Sequence, residues 1–346
     1  MHRHTRKILL DKSFIQAESA NAKRILALRK AGAVFVLTDT LIYELCTDSK
    51  SKNPKNPKIW PSVQKKLFHV ADAIEVWHHT SHLLKQEIEK HKPVAGPVDH
   101  HATEGMREWF RGGQVYVPEN LEELKSSHKQ LREKEAVAAL ISDCQRFCER
   151  MPEQVEKLHR NRAGVESIVR MKEWLNHQII REHGNADDLE QYIRGAEDSL
   201  GPEWFTYHFQ QGVLALMGVF ILKYGLKNQP YDLKNQPVKD FVHTKLDSDY
   251  VTLLHYADAL ATNETSGSLA DMCRWVHGDC RAVFSTHDMD RVMPLENEVR
   301  IKAYLRWENQ GRPAGKDIED WYWAEGRLYE ELWQKLVELG RTDASH

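Results

Sequence analysis

Four carboxylates surround a single short unit in the stretch DSDYVTLLHYADALATNET, residues 247 to 265. Asp247 and Asp249 stand at its head, Asp258 precedes the apolar run ALAT, and Glu264 follows Thr262 and Asn263. Acids drawn that close repel one another and take up protons unless a cation lies among them. Two remote acids have comparable settings. Asp11 closes the apolar run KILL, and Glu44 falls one turn into the pattern TLIYEL. A set of oxygen ligands suits a hard cation, magnesium or manganese, better than zinc. Such a centre can activate water and steady the charge that develops on a phosphodiester.

The elements that must gather these residues are legible as apolar runs and helical periods. KILL (7–10) and VFVL (34–37) read as buried strands, and a helical pattern between them ends at Gly32. Thr38 or Asp39 can cap a following helix that carries Glu44. The helix opening at Asp247, ALAT as a strand, a helix through Leu269 and Trp275, and AVFST (282–286) repeat the alternation. This order predicts an α/β fold with a parallel sheet and right-handed crossovers. In such a sheet, residues at the carboxyl ends of strands meet in the crevice where strand order reverses. The expected organisation is an α/β core in two parts, 1–60 and 241–295. An all-helical insertion spans 61–240 between them, and a helical hairpin fills 296–346.

Taken in order, KILLDKSFI, TLIYEL, DSDYVTLL and ATNE resemble the PIN-like nuclease domain, known from bacterial toxin ribonucleases. The resemblance covers roughly residues 5–48 and 245–290. It implies a three-layer core, cleavage of single-stranded RNA or, less often, of structured DNA, and a catalytic metal set made of Asp11, Glu44, Asp247 and Glu264. Asp249 rivals Asp247 for third place, since either acid precedes Tyr250-Val251, and Asp258 is a further candidate ligand. Glu264 stands where the family commonly has Asp, and the insertion is far longer than in the small toxins. A core that keeps the fold but binds nucleic acid or protein without turnover is the alternative.

The stretch 49–66 holds six lysines and three prolines with no acid. Lys50, Lys52, Lys55 and Lys58 are expected to hold substrate phosphates there without reading bases. Glu75, His78, His79 and His82 fall at helical spacing and read chiefly as a histidine-rich surface helix. His287-Asp288 is a remote candidate for a hydrolase pair. Trp174, Trp204, Phe205, Tyr207 and Phe209 read as core. The tail from Val299 to Trp333 carries A-Y-x-x-W, G-R-P-x-G-x-D and W-x-x-A-E. It resembles a short bacterial domain of unknown function, in which Tyr304, Trp307, Trp321 and Ala324 close the hairpin and Asp317 caps its second helix. The hairpin and the insertion are the expected contacts for a protein partner.

The 346 residues carry a formal charge of −3, with 41% hydrophobic and 29% charged residues. That balance predicts no bulk attraction to nucleic acid or membrane, so phosphate binding must be local. Five cysteines without a CxxC pair predict reduced thiols in a cytoplasmic protein. MHRHTRK shows no secretory leader, and GVLALMGVFIL (212–222) is too short to span a bilayer.

Overall fold

The computed structural model describes residues 5–17, 22–47, 59–90, 92–112, 134–150, 152–153, 203–220, 236–264, 268–294 and 296–342. Strand β1 (Arg6–Leu10) leads through α1 (Lys12–Gln16) and α2 (Ala22–Lys30) to β2 (Ala33–Thr38) and α3 (Asp39–Thr47). Helix α4 (Ile59–Leu67) and a 3₁₀ turn precede β3 (Ile74–Trp77), followed by α5 (Thr80–Lys90) and α6 (His100–Phe110). Then come α7 (Lys134–Arg150), α8 (Phe205–Phe220), α9 (Gln236–Leu253) and β4 (Ala259–Ala261). The chain continues with α10 (Ser268–His277), β5 (Ala282–Phe284), α11 (Thr286–Val292), α12 (Glu296–Asn309) and α13 (Asp317–Thr342).

The sheet is parallel throughout, in the order β3-β2-β1-β4-β5. Its central strand explains the apolar run at the start of the chain. Ile8, Leu9 and Leu10 are fully buried because helices cover both faces of a parallel sheet. The chain steps outward from β1 to β2 and β3, then returns to the other side of β1 as β4. The order therefore reverses between β1 and β4, and the crevice outside their carboxyl ends is where a site belongs.

Local signals fix several junctions. Gly32 takes φ 91° in the turn that releases α2 into β2, a conformation that costs glycine little. Thr38, fully buried at the end of β2, accepts the Leu41 backbone N–H at 3.0 Å and so caps α3. The α8 terminus is satisfied from a distance. Glu87 of α5, fully buried, accepts from the backbone N–H groups of Phe205 (2.9 Å) and Thr206 (2.7 Å).

Two expectations are corrected. Residues 61–240 are not wholly helical, because Ile74–Trp77 forms the edge strand beside β2. Only four residues long and followed at once by histidines, it offers too little alternation to stand out. The described helices of that region also form no separate body. Val137, Ile141 and Cys144 of α7, and Phe205, Leu214 and Phe220 of α8, belong to the same apolar cluster as the sheet. Further, α9 begins at Gln236, so Asp247 lies in its later turns and does not open the helix.

The tail covers the other edge. Helix α13 runs against β5, where Gly340 approaches so closely that an added Cβ would stand 2.7 Å from the Val283 carbonyl oxygen. Unpaired strand edges invite association, and this packing hides one. Leu332 and Leu336 anchor α13 in the main core, and Arg6 pairs with Glu330 while Lys30 reaches Glu325 at 2.5 Å. Gly340→Ala should therefore destabilise the protein by about 1–3 kcal/mol through forced displacement of β5 or α13. Differential scanning calorimetry of the variant checks this; an unchanged melting temperature would contradict the close packing. The hairpin has its own small core of Val299, Ala324 and Leu328, with Trp321 against it. Tyr304 stays exposed, while the Trp307 indole N–H donates to the Pro313 carbonyl at 3.0 Å.

Candidate active site

At the carboxyl end of β1, Asp11 caps α1 with its side chain accepting the Ser13 backbone N–H at 3.1 Å. The same oxygen, Oδ2, accepts the Ser13 hydroxyl and, at 2.8 Å, the Thr262 hydroxyl. Thr262 is fully buried at the end of β4, so Asp11 is fastened to the neighbouring strand as well as to its own helix. Its backbone N–H also donates to the Ala261 carbonyl at 3.0 Å. Asn263 extends the junction toward β5. It donates to the Ser13 hydroxyl from its backbone (2.9 Å) and accepts the Thr286 N–H at 2.9 Å.

Glu44 enters from α3 and Asp247 from α9. The Tyr250 hydroxyl donates to Glu44 Oε2 at 3.0 Å, and the Ser268 hydroxyl donates to Asp247 Oδ2 at 2.7 Å. Glu264 follows Thr262, which accepts its backbone N–H at 3.0 Å, and its side chain stands exposed at the rim. These four acids line one cleft of about 340 Å³ together with Lys12, Ser13, Gln16, His243 and Ser268. The expected set of Asp11, Glu44, Asp247 and Glu264 thus meets at the crevice between β1 and β4.

The electrostatics follow from the crowding. Burial, and after it the charge of Asp11, pushes the Glu44 carboxyl up to about 8; Lys12 acts in the opposite direction. Glu264 is also raised, by burial and then by Asp11. Oxygen donors that hold one another's protons in this way fit a hard divalent cation, whose charge would relieve the repulsion. Among the described residues, no three His, Cys, Asp or Glu side chains are already drawn up around an ion-sized gap. Asp11, Glu44 and Asp247 each accept from a hydroxyl donor.

Two other candidate acids go elsewhere. Asp249 is separated from Asp247 by about 200° around the helix, so it faces the opposite way. It is 1% exposed, pairs with Lys245 Nζ at 2.5 Å, accepts the Thr80 hydroxyl at 2.7 Å and lies 3.4 Å from His79 Nε2. Burial opposes its ionisation, but the Lys245 charge and then His79 hold the carboxyl well below the usual range. Asp258 precedes β4 at the amino end of the sheet, where it is exposed and accepts the Lys7 backbone N–H at 2.7 Å. Neither belongs to the cleft. Lys50, Lys52, Lys55 and Lys58 lie outside the described residues.

The histidine-rich segment is not one helix face. Glu75 sits on β3, 3.1 Å from Lys7, while the His78 and His82 rings stack at 4.3 Å and His78 Nδ1 lies 3.4 Å from Asp99. Asp288 is committed to a capping box with Ser285, and His287 points to solvent, so no hydrolase pair forms there. Four cysteines among the described residues, Cys144, Cys148, Cys273 and Cys280, are not joined in disulfides. The sequence reading missed Lys12, Ser13 and His243 as cleft residues. For His243 a signal existed: it precedes Asp247 by four residues on the same helix and so shares its face. Ser13 had one as well, two residues beyond a strand-ending acid in the position that a capped helix turn brings back to that acid.

A family model described as a protein of unknown function (DUF2934) matches residues 294–328. Those residues span α12 and the first part of α13, the segment whose tryptophan and Gly-Arg-Pro pattern stood out in the sequence. Neither the curated proteins nor the solved structures include a match. Among the described residues, no helix is long and apolar enough to cross a membrane.

Proposed function

We propose that the protein is a metal-dependent endonuclease of the PIN-like kind, acting on single-stranded RNA. The observation that carries this reading is the convergence of Asp11, Glu44, Asp247 and Glu264, from four distant sequence positions, on one cleft at the switch point of a parallel sheet. Magnesium or manganese held by these carboxylates would supply a polarised water and neutralise charge on a phosphodiester. The chain's own residues then have definable parts. Asp11 is pre-oriented by the Ser13 and Thr262 hydroxyls and does not have to be ordered at the moment of reaction. Lys12 stands in the same cleft and offers a cation to a substrate phosphate, as His243 does when protonated. In this reading selectivity rests on the shape of the single strand and on the region between the second and third acids. A carboxylate-bearing core that binds without turnover is the competing reading, favoured by the exposed position of Glu264 at the rim.

Cleavage of end-labelled single-stranded RNA with manganese separates the two. The intact protein should cut, chelator should silence it, and Asp11→Asn should lose on the order of 10²–10³-fold in rate. Asparagine caps a helix as well as aspartate does, so the melting temperature should hold. An intact protein that binds the RNA without cutting it would establish the competing reading, and cutting that survives both chelator and Asp11→Asn would remove the carboxylate-metal site.

A further inference from the structure

Resting on the carboxylate-site reading above, we infer that Tyr250 is a positioning residue, whose buried hydroxyl aims the Glu44 carboxylate at the cation. Tyr250 lies three residues beyond Asp247 on α9, so both side chains leave the same helix face one turn apart. Asp247 lines the cleft itself. Tyr250 is 1% exposed and reaches past it, donating to Glu44 Oε2 at 3.0 Å. The buried hydroxyl of α9 therefore holds one oxygen of Glu44, so that the other can serve the cleft that Glu44 lines.

A packing role alone would not need this oxygen. The Tyr250 ring is already enclosed in the main apolar cluster, and phenylalanine would fill the same space. What the hydroxyl adds is direction. Glu44 is a long side chain with three rotatable bonds, on a helix that contributes only that one acid to the cleft. A ligand free to rotate loses part of its binding energy to ordering, and a partner that fixes it recovers that loss. The same arrangement couples two of the four acids to one helix, since any rotation of α9 that moves Asp247 also moves the group holding Glu44.

The test is manganese binding by Tyr250→Phe, followed by electron paramagnetic resonance of free Mn²⁺ in the absence of RNA. The variant should bind 10–100-fold more weakly than the unsubstituted protein. Its metal-free melting temperature should stay close to that of the parent. Raising the manganese concentration should restore its cleavage rate, because the defect lies in occupancy. Incorporation of 4-aminophenylalanine at position 250, which returns an N–H donor, should recover most of the affinity. Equal affinity in parent and Phe variant would overturn the inference, as would a loss that the amino analogue fails to recover. A parent protein that takes up no manganese would instead remove the carboxylate-site reading. One readout needs no variant. With [4-¹³C]tyrosine in the unsubstituted chain, magnesium should shift one tyrosine resonance at the same concentration that raises the melting temperature. Magnesium binding without any shifted resonance would contradict the contact.

Discussion

Asp249→Ala should destabilise the protein by about 3–5 kcal/mol at neutral pH, the cost of removing one partner from a buried charge pair. The Lys245 side chain, only 18% exposed, would lose its counter-ion, the Thr80 hydroxyl would lose its acceptor, and His79 would lose the carboxylate 3.4 Å from its Nε2. This cluster joins α9 to the start of α5, and the His79 backbone N–H continues it to Asp39 of α3 at 3.1 Å. The stability it supplies is present above the ordinary aspartate range and is lost only as acid protonates a carboxyl held well below that range. Two residues earlier the outcome reverses. Asp247→Ala removes a negative charge from a crowded cleft, so it should leave the fold intact, or slightly more stable, while abolishing metal-dependent cleavage. Urea unfolding of both variants beside the RNA assay checks the pair. If Asp247→Ala unfolds the protein and Asp249→Ala spares it, the two faces of α9 have been assigned the wrong way round.

Glu44→Gln should stabilise the metal-free protein at pH 8 by a few kcal/mol and flatten its pH dependence. Glu44 is unusual for a carboxylate in that its folded-state pKa, about 8, lies above the unfolded value. The folded protein therefore holds more protons than the unfolded chain between about pH 4.5 and pH 8. The contribution of Glu44 to stability must fall as pH rises through that window and level off above it. At about 1.4 kcal/mol per unit the full effect is on the order of 5 kcal/mol, and glutamine, which never ionises, removes it. A divalent cation should act in the same direction on the native protein. It would displace the proton, so metal uptake near pH 7 should release protons, and binding should tighten as pH rises toward 8. Melting curves from pH 5 to pH 9, with and without manganese, test both points. His255 and His277, which burial pushes down to about 4, raise stability with pH below about 6.5, so the comparison is between the two proteins. A parent whose stability relative to Glu44→Gln stays constant or rises between pH 5 and pH 8 would contradict the crowding of Glu44.

The parts of the fold that announced themselves did so by burial. KILL and VFVL are continuous apolar runs because central parallel strands are covered on both faces, and each ends at the residue that caps the next helix. The acids at 11, 44, 247 and 264 were legible because strand ends and helix turns have fixed positions relative to the crevice. Choosing Asp247 over Asp249 was not possible from the local pattern. Both precede Tyr250, and only the rotation of α9, set by Lys245 and the β3-α5 junction far away in sequence, decides which acid faces the cleft. Strand β3 was hidden because an edge strand of four residues makes few demands on its sequence. Asp258 misled for the opposite reason: it is adjacent to a site strand, but at the end where the chain enters.

A crystal of the protein soaked in manganese, read by anomalous scattering, tests the gathered carboxylates most directly. A peak is expected at the carboxyl ends of β1 and β4, within about 2.0–2.6 Å of oxygens from Asp11, Glu44 and Asp247, with Glu264 turning in from the rim or reaching through water. A fully soaked crystal with no peak in that cleft, or with manganese bound at Asp249 or Asp258, would contradict it.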